Sequence, residues 1–379
     1  MKLAKLVVAL SATFTLSSAA FADITIGVSL SATGPAASLG IPEKNAFALL
    51  PTEIGGEKVK LVVLDDATDP TVATKNARRL VTEDRVDAII GSSSTPATAA
   101  MAEVAHETKT PLVTMSPVSL PVERNEWVFR TPQQNEVMAS ALVEHMKSKG
   151  YKTLGFIGFS DAYGEDWLNS VTKHAAAAGI QLAVVERYAR NDTSVTGQVL
   201  KLTMARPDAV LIAGSGSPAA LPQGALVERG YKGQIYQTHA AANQAFLGVA
   251  GKAAEGAILP VGPVSVVRQL PDSHPSKASG VDFVTKYEAQ YGAGSFSAFA
   301  GYAHDAFRLI EAAVPAAKAK GAPGTAEFRA ALRDALEASK EVVGVHGVFN
   351  MTPNDHFGLD DRSRVLIRIE GGAYKLVAQ

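Results

Sequence analysis

The stretch from Ala88 to Ser119 constrains this chain most. A short apolar run (Ala88-Ile89-Ile90) ends at Gly91, four hydroxyl residues follow (Ser92, Ser93, Ser94, Thr95), and Pro96 opens an Ala-rich segment of helical character. A second apolar run then ends in Ser116-Pro117. The order is strand, polar loop, helix, strand, polar loop. In an open parallel sheet both loops lie at the carboxyl ends of neighbouring strands, where α/β proteins bind ligands. Pro after a Ser/Thr cap starts a helix, and the free N–H groups there favour an anion. One such loop could be no more than a cap. Two on successive strands point to a binding floor.

The same unit recurs along the chain. The β-branched run Ile24 to Leu30 breaks into a Ser/Gly/Pro loop, helical spacing follows from Pro42 to Leu50, and Val59 to Leu64 is a second strand ending in Asp65-Asp66-Ala67-Thr68-Asp69-Pro70. Strand, helix, strand in this order predicts a right-handed parallel crossover. The aspartates suit a helix-capping turn, because no further ligands follow at calcium-loop spacing. A helix over 71–83 and a strand over 86–90 lead to the opening stretch. After the connector P-V-E-R-N-E a second set begins, with helices expected over 134–149, 165–178, 194–204 and 219–229, and strands over 153–159, 181–186, 209–213 and 234–238. The turn Gly214-Ser215-Gly216-Ser217-Pro218 ends one of these strands and offers Ser215 to a ligand. Phe129 to Pro132 is expected to cross between lobes, with a second crossing near Glu255 to Pro260. Helices over 278–291 and 299–314 complete the first lobe, and a strand-like tail ends the chain. A chain that crosses repeatedly makes a hinge.

At 379 residues the chain exceeds one core, so two domains are expected. Composition, 47% hydrophobic and only 7% aromatic, describes an Ala- and Gly-rich globular protein. The first 22 residues carry Lys2, Lys5, an apolar run and Ala20-Phe21-Ala22, the pattern of a secretory signal cleaved after Ala22. The run is too short and too often broken by Ser and Thr for a membrane span. Two of the 36 basic residues fall in it, leaving 34 against 37 acidic. With no basic run, nucleic acid is not an expected partner. The chain has no cysteine, which excludes disulfides and thiol chemistry. No H-E-x-x-H or G-x-S-x-G is present, and the eight histidines show no metal spacing, so neither an enzyme nor a metal or cofactor site is expected.

Taken together, I-G-V-S-L-S-A-T-G-P, the D-D-A-x-D-P turn, G-S-S-S-T-P with the following S-P, the A-Y-G-E loop and A-A-E-G resemble the periplasmic branched-chain amino-acid-binding protein family, the type I solute-binding proteins of ABC importers. The motifs keep the family's order over essentially the whole mature chain. The resemblance implies an α/β fold of two Rossmann-like lobes with parallel-sheet cores, joined by a three-crossover hinge. Residues 23–130 and 258–345 would form lobe 1, and 131–257 and 346–379 lobe 2. It implies a monomer in the periplasm that closes on one small carboxylate and docks transiently on an inner-membrane ABC permease. The ligand carboxylate would rest on Ser92, Ser93, Ser94 and Thr95 and on Val118-Ser119, with Tyr163 reaching it from the other lobe.

Two departures bear on the ligand. The family's acidic partner for a ligand ammonium falls on His239, and the large aromatic of the first loop is replaced by Leu39. Without a carboxylate, a buried ammonium would stay unpaired at a cost of several kcal/mol. Phe296 and Phe299, with Tyr302, fall where the family's cleft wall is expected. The S-L-G-I-P-E-K-N segment is similar to relatives that take up aromatic acids. The expected ligand is therefore a benzoate- or phenylpropanoate-like acid, the alternatives being an amino acid or the role of a periplasmic sensor subunit.

Overall fold

Long apolar runs rich in Val and Ile, buried on both faces, specify the centre of each sheet. The structure, a computed structural model, describes residues 23–377. The expected signal and its cleavage site lie outside the described residues. Strands β1 (Ile24–Leu30), β2 (Glu53–Ile54), β3 (Glu57–Asp65), β4 (Ala88–Gly91), β5 (Leu112–Thr114) and β6 (Val128–Arg130) form a six-stranded sheet in the order β2-β3-β1-β4-β5-β6. All its pairs are parallel except β2 with β3. Helices α1 (Ala37–Phe47), α2 (Pro70–Thr82) and α3 (Thr95–Thr108) connect these strands.

The second sheet is built in the same way. After α4 (Asn135–Ser148) come β7 (Thr153–Phe159), α5 (Ala162–Ala177), β8 (Gln181–Tyr188), α6 (Thr196–Ala205), β9 (Ala209–Ala213), α7 (Ala220–Glu228), β10 (Gln234–Gln237), α8 (Gln244–Ala250) and β11 (Ile258–Val261). Helices α9 (Lys277–Tyr291), α10 (Ala298–Lys318) and α11 (Ala326–Glu337) then return to the first lobe, where Tyr287 and Tyr291 of α9 bond to Asn45 of α1. A small pair, β12 (Val342–Val343) with β13 (Val348–Phe349), precedes β14 (Val365–Glu370) and β15 (Ala373–Leu376). The seven-stranded order is β15-β14-β11-β10-β9-β7-β8, with β14 and β15 antiparallel.

Two expected lobe boundaries move. Ile258–Val261 belongs to the second sheet, pairing with β10 and β14, so the chain crosses after Val261. The last crossing also comes later than 345. Val348–Phe349 pairs with Val342–Val343 beside α10, and the His356 carbonyl accepts from Arg130 N (2.9 Å), whereas Arg364 bonds Val137 and Ser140 of α4. Two helix starts shift. α5 begins at Ala162 because the Asp161 carboxylate accepts from the N–H of Tyr163 and Gly164. α1 begins at Ala37 with Pro42 inside it, and Gly40 sits so close to β1 that a Cβ there would collide with the Ser31 carbonyl. That close approach lays α1 across the carboxyl end of β1.

Candidate functional site

The carboxyl ends of the two sheets face each other across a narrow cleft. From the first lobe it is lined by Leu39 of α1, Ser93, Ser94 and Thr95 after β4, Met115, Ser116 and Pro117 after β5, and Phe299 and Tyr302 of α10. From the second come Tyr163, Arg190, Ser215, His239 and Ala240. Eight of the twelve residues expected at the site meet here: Leu39, Ser93, Ser94, Thr95, Tyr163, Ser215, His239 and Phe299.

Four do not line the cleft. Ser92 is fully buried beneath the floor, its hydroxyl donating to Asp66 Oδ2 (2.7 Å). Val118 packs in the core between the sheet and α3, and its carbonyl accepts from Arg130 Nε (3.1 Å). Ser119 lies at the mouth, donating to Asp166 Oδ1 of α5 (2.8 Å). The strand β5 ends at Thr114, so the cleft-facing turn starts at Met115 and its serine is Ser116, three residues earlier than expected. Phe296 stacks edge-on against Phe283 and Tyr287, away from the cleft, whereas Tyr302, also expected in the wall, lines it.

The loop after β4 is more than a helix cap. Ser94 occupies the N-cap of α3 but makes no cap bond, and its buried Oγ has no partner. Thr95 Oγ1 donates to the Pro117 carbonyl (2.7 Å), tying the two floor loops together. Ser93 is backed by Glu43 of α1, to whose carboxyl its hydroxyl is hydrogen-bonded. Glu43 is fully buried, and desolvation pushes its pKa well above the usual carboxylate range.

Across the cleft, the Tyr163 hydroxyl donates to Thr238 Oγ1 (2.8 Å), so this residue presents its ring. His239 packs against Tyr163 and Trp167, and its buried Nδ1 has no partner. Burial, with His346 nearby, pushes its pKa down to about 3, so it faces the cleft as a neutral imidazole. The residue that sequence reasoning missed is Arg190. Its Nε donates to Asp161 Oδ2 (2.6 Å), its Nη1 donates to Ser215 Oγ (3.0 Å), and its guanidinium lies 4.3 Å from the centre of the Phe159 ring. Its signal in the sequence was a cation two residues beyond a strand, at the carboxyl end of a parallel sheet. No Asp or Glu lines the cleft among the described residues, whereas this one arginine does.

Two α/β lobes linked by three segments of chain, with a polar and aromatic cleft between the sheet ends, make the architecture of a two-lobed binding protein. The family model described as periplasmic binding protein matches residues 23–366, and the chain belongs to that family. It is 28% identical over 263 residues to Leu/Ile/Val-binding protein homolog 3 of Brucella melitensis, covering 66% of this chain and 70% of that one. The solved structure of Rp1789 from Rhodopseudomonas palustris (strain CGA009) is 48% identical, with a TM-score of 0.93 over 94% of this chain and 100% of the other. A solute-binding protein of an R. palustris ABC transporter, solved in complex with benzoate, shares the fold at 20% identity and a TM-score of 0.79, over 94% of this chain and 96% of that one.

Proposed function

We propose that this chain is the exported solute-binding component of an ABC importer and that it captures a small aromatic carboxylate between its lobes. The supporting observation is the charge pattern of the cleft: one arginine, a neutral histidine and no lining carboxylate among the described residues. A carboxylate entering it meets Arg190 and the hydroxyls of the floor. An amino-acid ammonium meets no counter-charge, at a cost of several kcal/mol. The rings of Tyr163, Phe299 and Tyr302 and the apolar Leu39 and Met115 suit an aromatic body. The mature chain starts at Asp23, works as a monomer, releases its ligand chemically unchanged and passes it to an inner-membrane permease.

Isothermal titration with benzoate, 3-phenylpropanoate, leucine, isoleucine and valine tests this reading. Binding of an aromatic acid and none of the amino acids is expected. Tight binding of the amino acids alone rejects it. Mass spectrometry of small molecules that co-purify identifies the natural ligand.

A further inference from the structure

Glu43 is unusual: a fully buried carboxyl, one residue behind a cleft-lining serine, with no basic partner among the described residues. Its Oε2 is hydrogen-bonded to Ser93 Oγ, and its Oε1 is buried without a partner. The groups that face it bring no positive charge. Asp66, from the turn after β3, is already engaged by Ser31 (2.7 Å) and Ser92 (2.7 Å), and Tyr302 reaches towards it from α10. Ser93 Oγ also accepts from the backbone N–H of Ser31 (3.0 Å).

From this geometry we infer that Glu43 is a positioning residue: its neutral carboxyl donates to Ser93 and thereby turns the Ser93 hydroxyl into a donor aimed at an anion in the cleft. A serine oxygen has two acceptor sites and one hydrogen. With Glu43 protonated, the Ser31 N–H and the Glu43 O–H fill both acceptor sites, and the Ser93 hydrogen is free for the ligand. With Glu43 ionised, Ser93 must donate backwards, and a negative charge lies one hydroxyl behind the anion. Anion binding and the Glu43 proton are therefore linked, and this deepens the carboxylate reading on which it rests. Burial raises the Glu43 pKa and so favours the productive, protonated form. Other cleft groups leave the window clear: burial raises the Tyr163 and Tyr302 phenols and lowers His239 to about 3.

The test combines Glu43→Gln, Glu43→Met and Ser93→Ala with benzoate titrations between roughly pH 6 and pH 9.5. Glu43→Gln supplies a permanent N–H donor and should bind as wild type does at neutral pH. It should also lack any alkaline fall, which in wild type approaches about tenfold per pH unit above the Glu43 pKa. Glu43→Met, similar in size but without a hydrogen-bonding group, and Ser93→Ala should each weaken binding about tenfold. Their combination should add nothing further. Unchanged affinity in Glu43→Met, or additive losses, overturns the inference. So does wild-type affinity that rises with pH.

A ligand-free readout separates this from the reading above. A neutral buried Glu43 binds its proton above the unfolded value of about 4.3, so wild-type stability falls as pH rises through that window. The margin by which Glu43→Gln exceeds wild type in thermal stability should therefore widen with pH, and a flat margin overturns the inference. If wild type binds neither benzoate nor 3-phenylpropanoate, the carboxylate reading fails. A widening margin in that case still upholds the neutral Glu43.

Discussion

Arg190 and His239 both line the cleft, and they act in different ways. Arg190 is held by Asp161, Ser215 and the Phe159 ring before any ligand arrives, so little side-chain freedom is lost when it meets a carboxylate. Arg190→Gln should weaken benzoate binding by about 2 kcal/mol, roughly 30-fold in Kd, as a charge-assisted hydrogen bond is lost. Arg190→Lys should recover little, because a single ammonium cannot replace a fork already committed to two partners. An unchanged Kd by titration would place the anion elsewhere. His239 makes its mark on stability. Its pKa is about 3 in the folded chain and near 6.5 unfolded, so between these values only the unfolded chain takes up the proton. Its contribution is intact above about pH 6.5 and is lost progressively towards pH 3. Thermal melts of wild type and His239→Gln across this range should converge as the pH falls, and parallel curves would show that the imidazole is not the acid-sensitive group.

At the level of elements, one aspartate performs two tasks that substitution can separate. Asp161 caps α5 through the N–H groups of Tyr163 and Gly164 and, with its other oxygen, holds Arg190. Asp161→Asn retains a cap acceptor and removes the ion pair, so stability should change little while benzoate affinity drops. Asp161→Ala should show the same affinity loss together with about 1 kcal/mol of lost stability, both read from titration and denaturant melts. This double use also explains what the sequence revealed and what it hid. Strands such as Thr153–Phe159 and Ala209–Ala213 were legible to the residue, because doubly buried strands are uninterrupted apolar runs. Helix starts were less so: α5 begins three residues early because the Asp161 side chain replaces a backbone acceptor. Helix α11 escaped notice although Phe328, Leu332 and Leu336 form a clear buried stripe. The hydroxyl loop after β4 announced the floor, yet the position of Ser116 rather than Ser119 depends on where β5 stops. Arg190 carries no motif, and Glu43 stands in the S-L-G-I-P-E-K-N segment with nothing there to mark its role. Their roles arise only when the far lobe and α1 fold over the cleft.

Across the whole molecule, the proposed capture of a ligand would depend on how closely the lobes can approach. They touch on either side of the cleft, where Ser119 donates to Asp166 and where the turn at Gly216 meets the start of α1. Ligand contacts from both lobes favour this closed arrangement over any open one, so whatever props the lobes apart must weaken binding. Gly216 tests this cleanly. It sits at φ +56°, and a Cβ there would run into Ser38 Oγ and come within 3.0 Å of Leu39 Cδ1 on the opposite lobe. Gly230 also has a positive φ (+74°) but nothing within 4 Å of the position of a Cβ, so Gly230→Ala carries a positive-φ strain without the obstruction. Both Ala variants should lose stability because of the positive φ, Gly216→Ala the more, since its ψ of −149° lies where essentially only glycine is at ease. Only Gly216→Ala should also lose affinity, and Gly216→Val should lose more. In small-angle scattering, wild type and Gly230→Ala should contract on adding saturating benzoate, whereas Gly216→Val should not. Equal contraction and equal affinity in the two glycine variants would mean that the turn at Gly216 does not limit closure and that the lobes meet by another route.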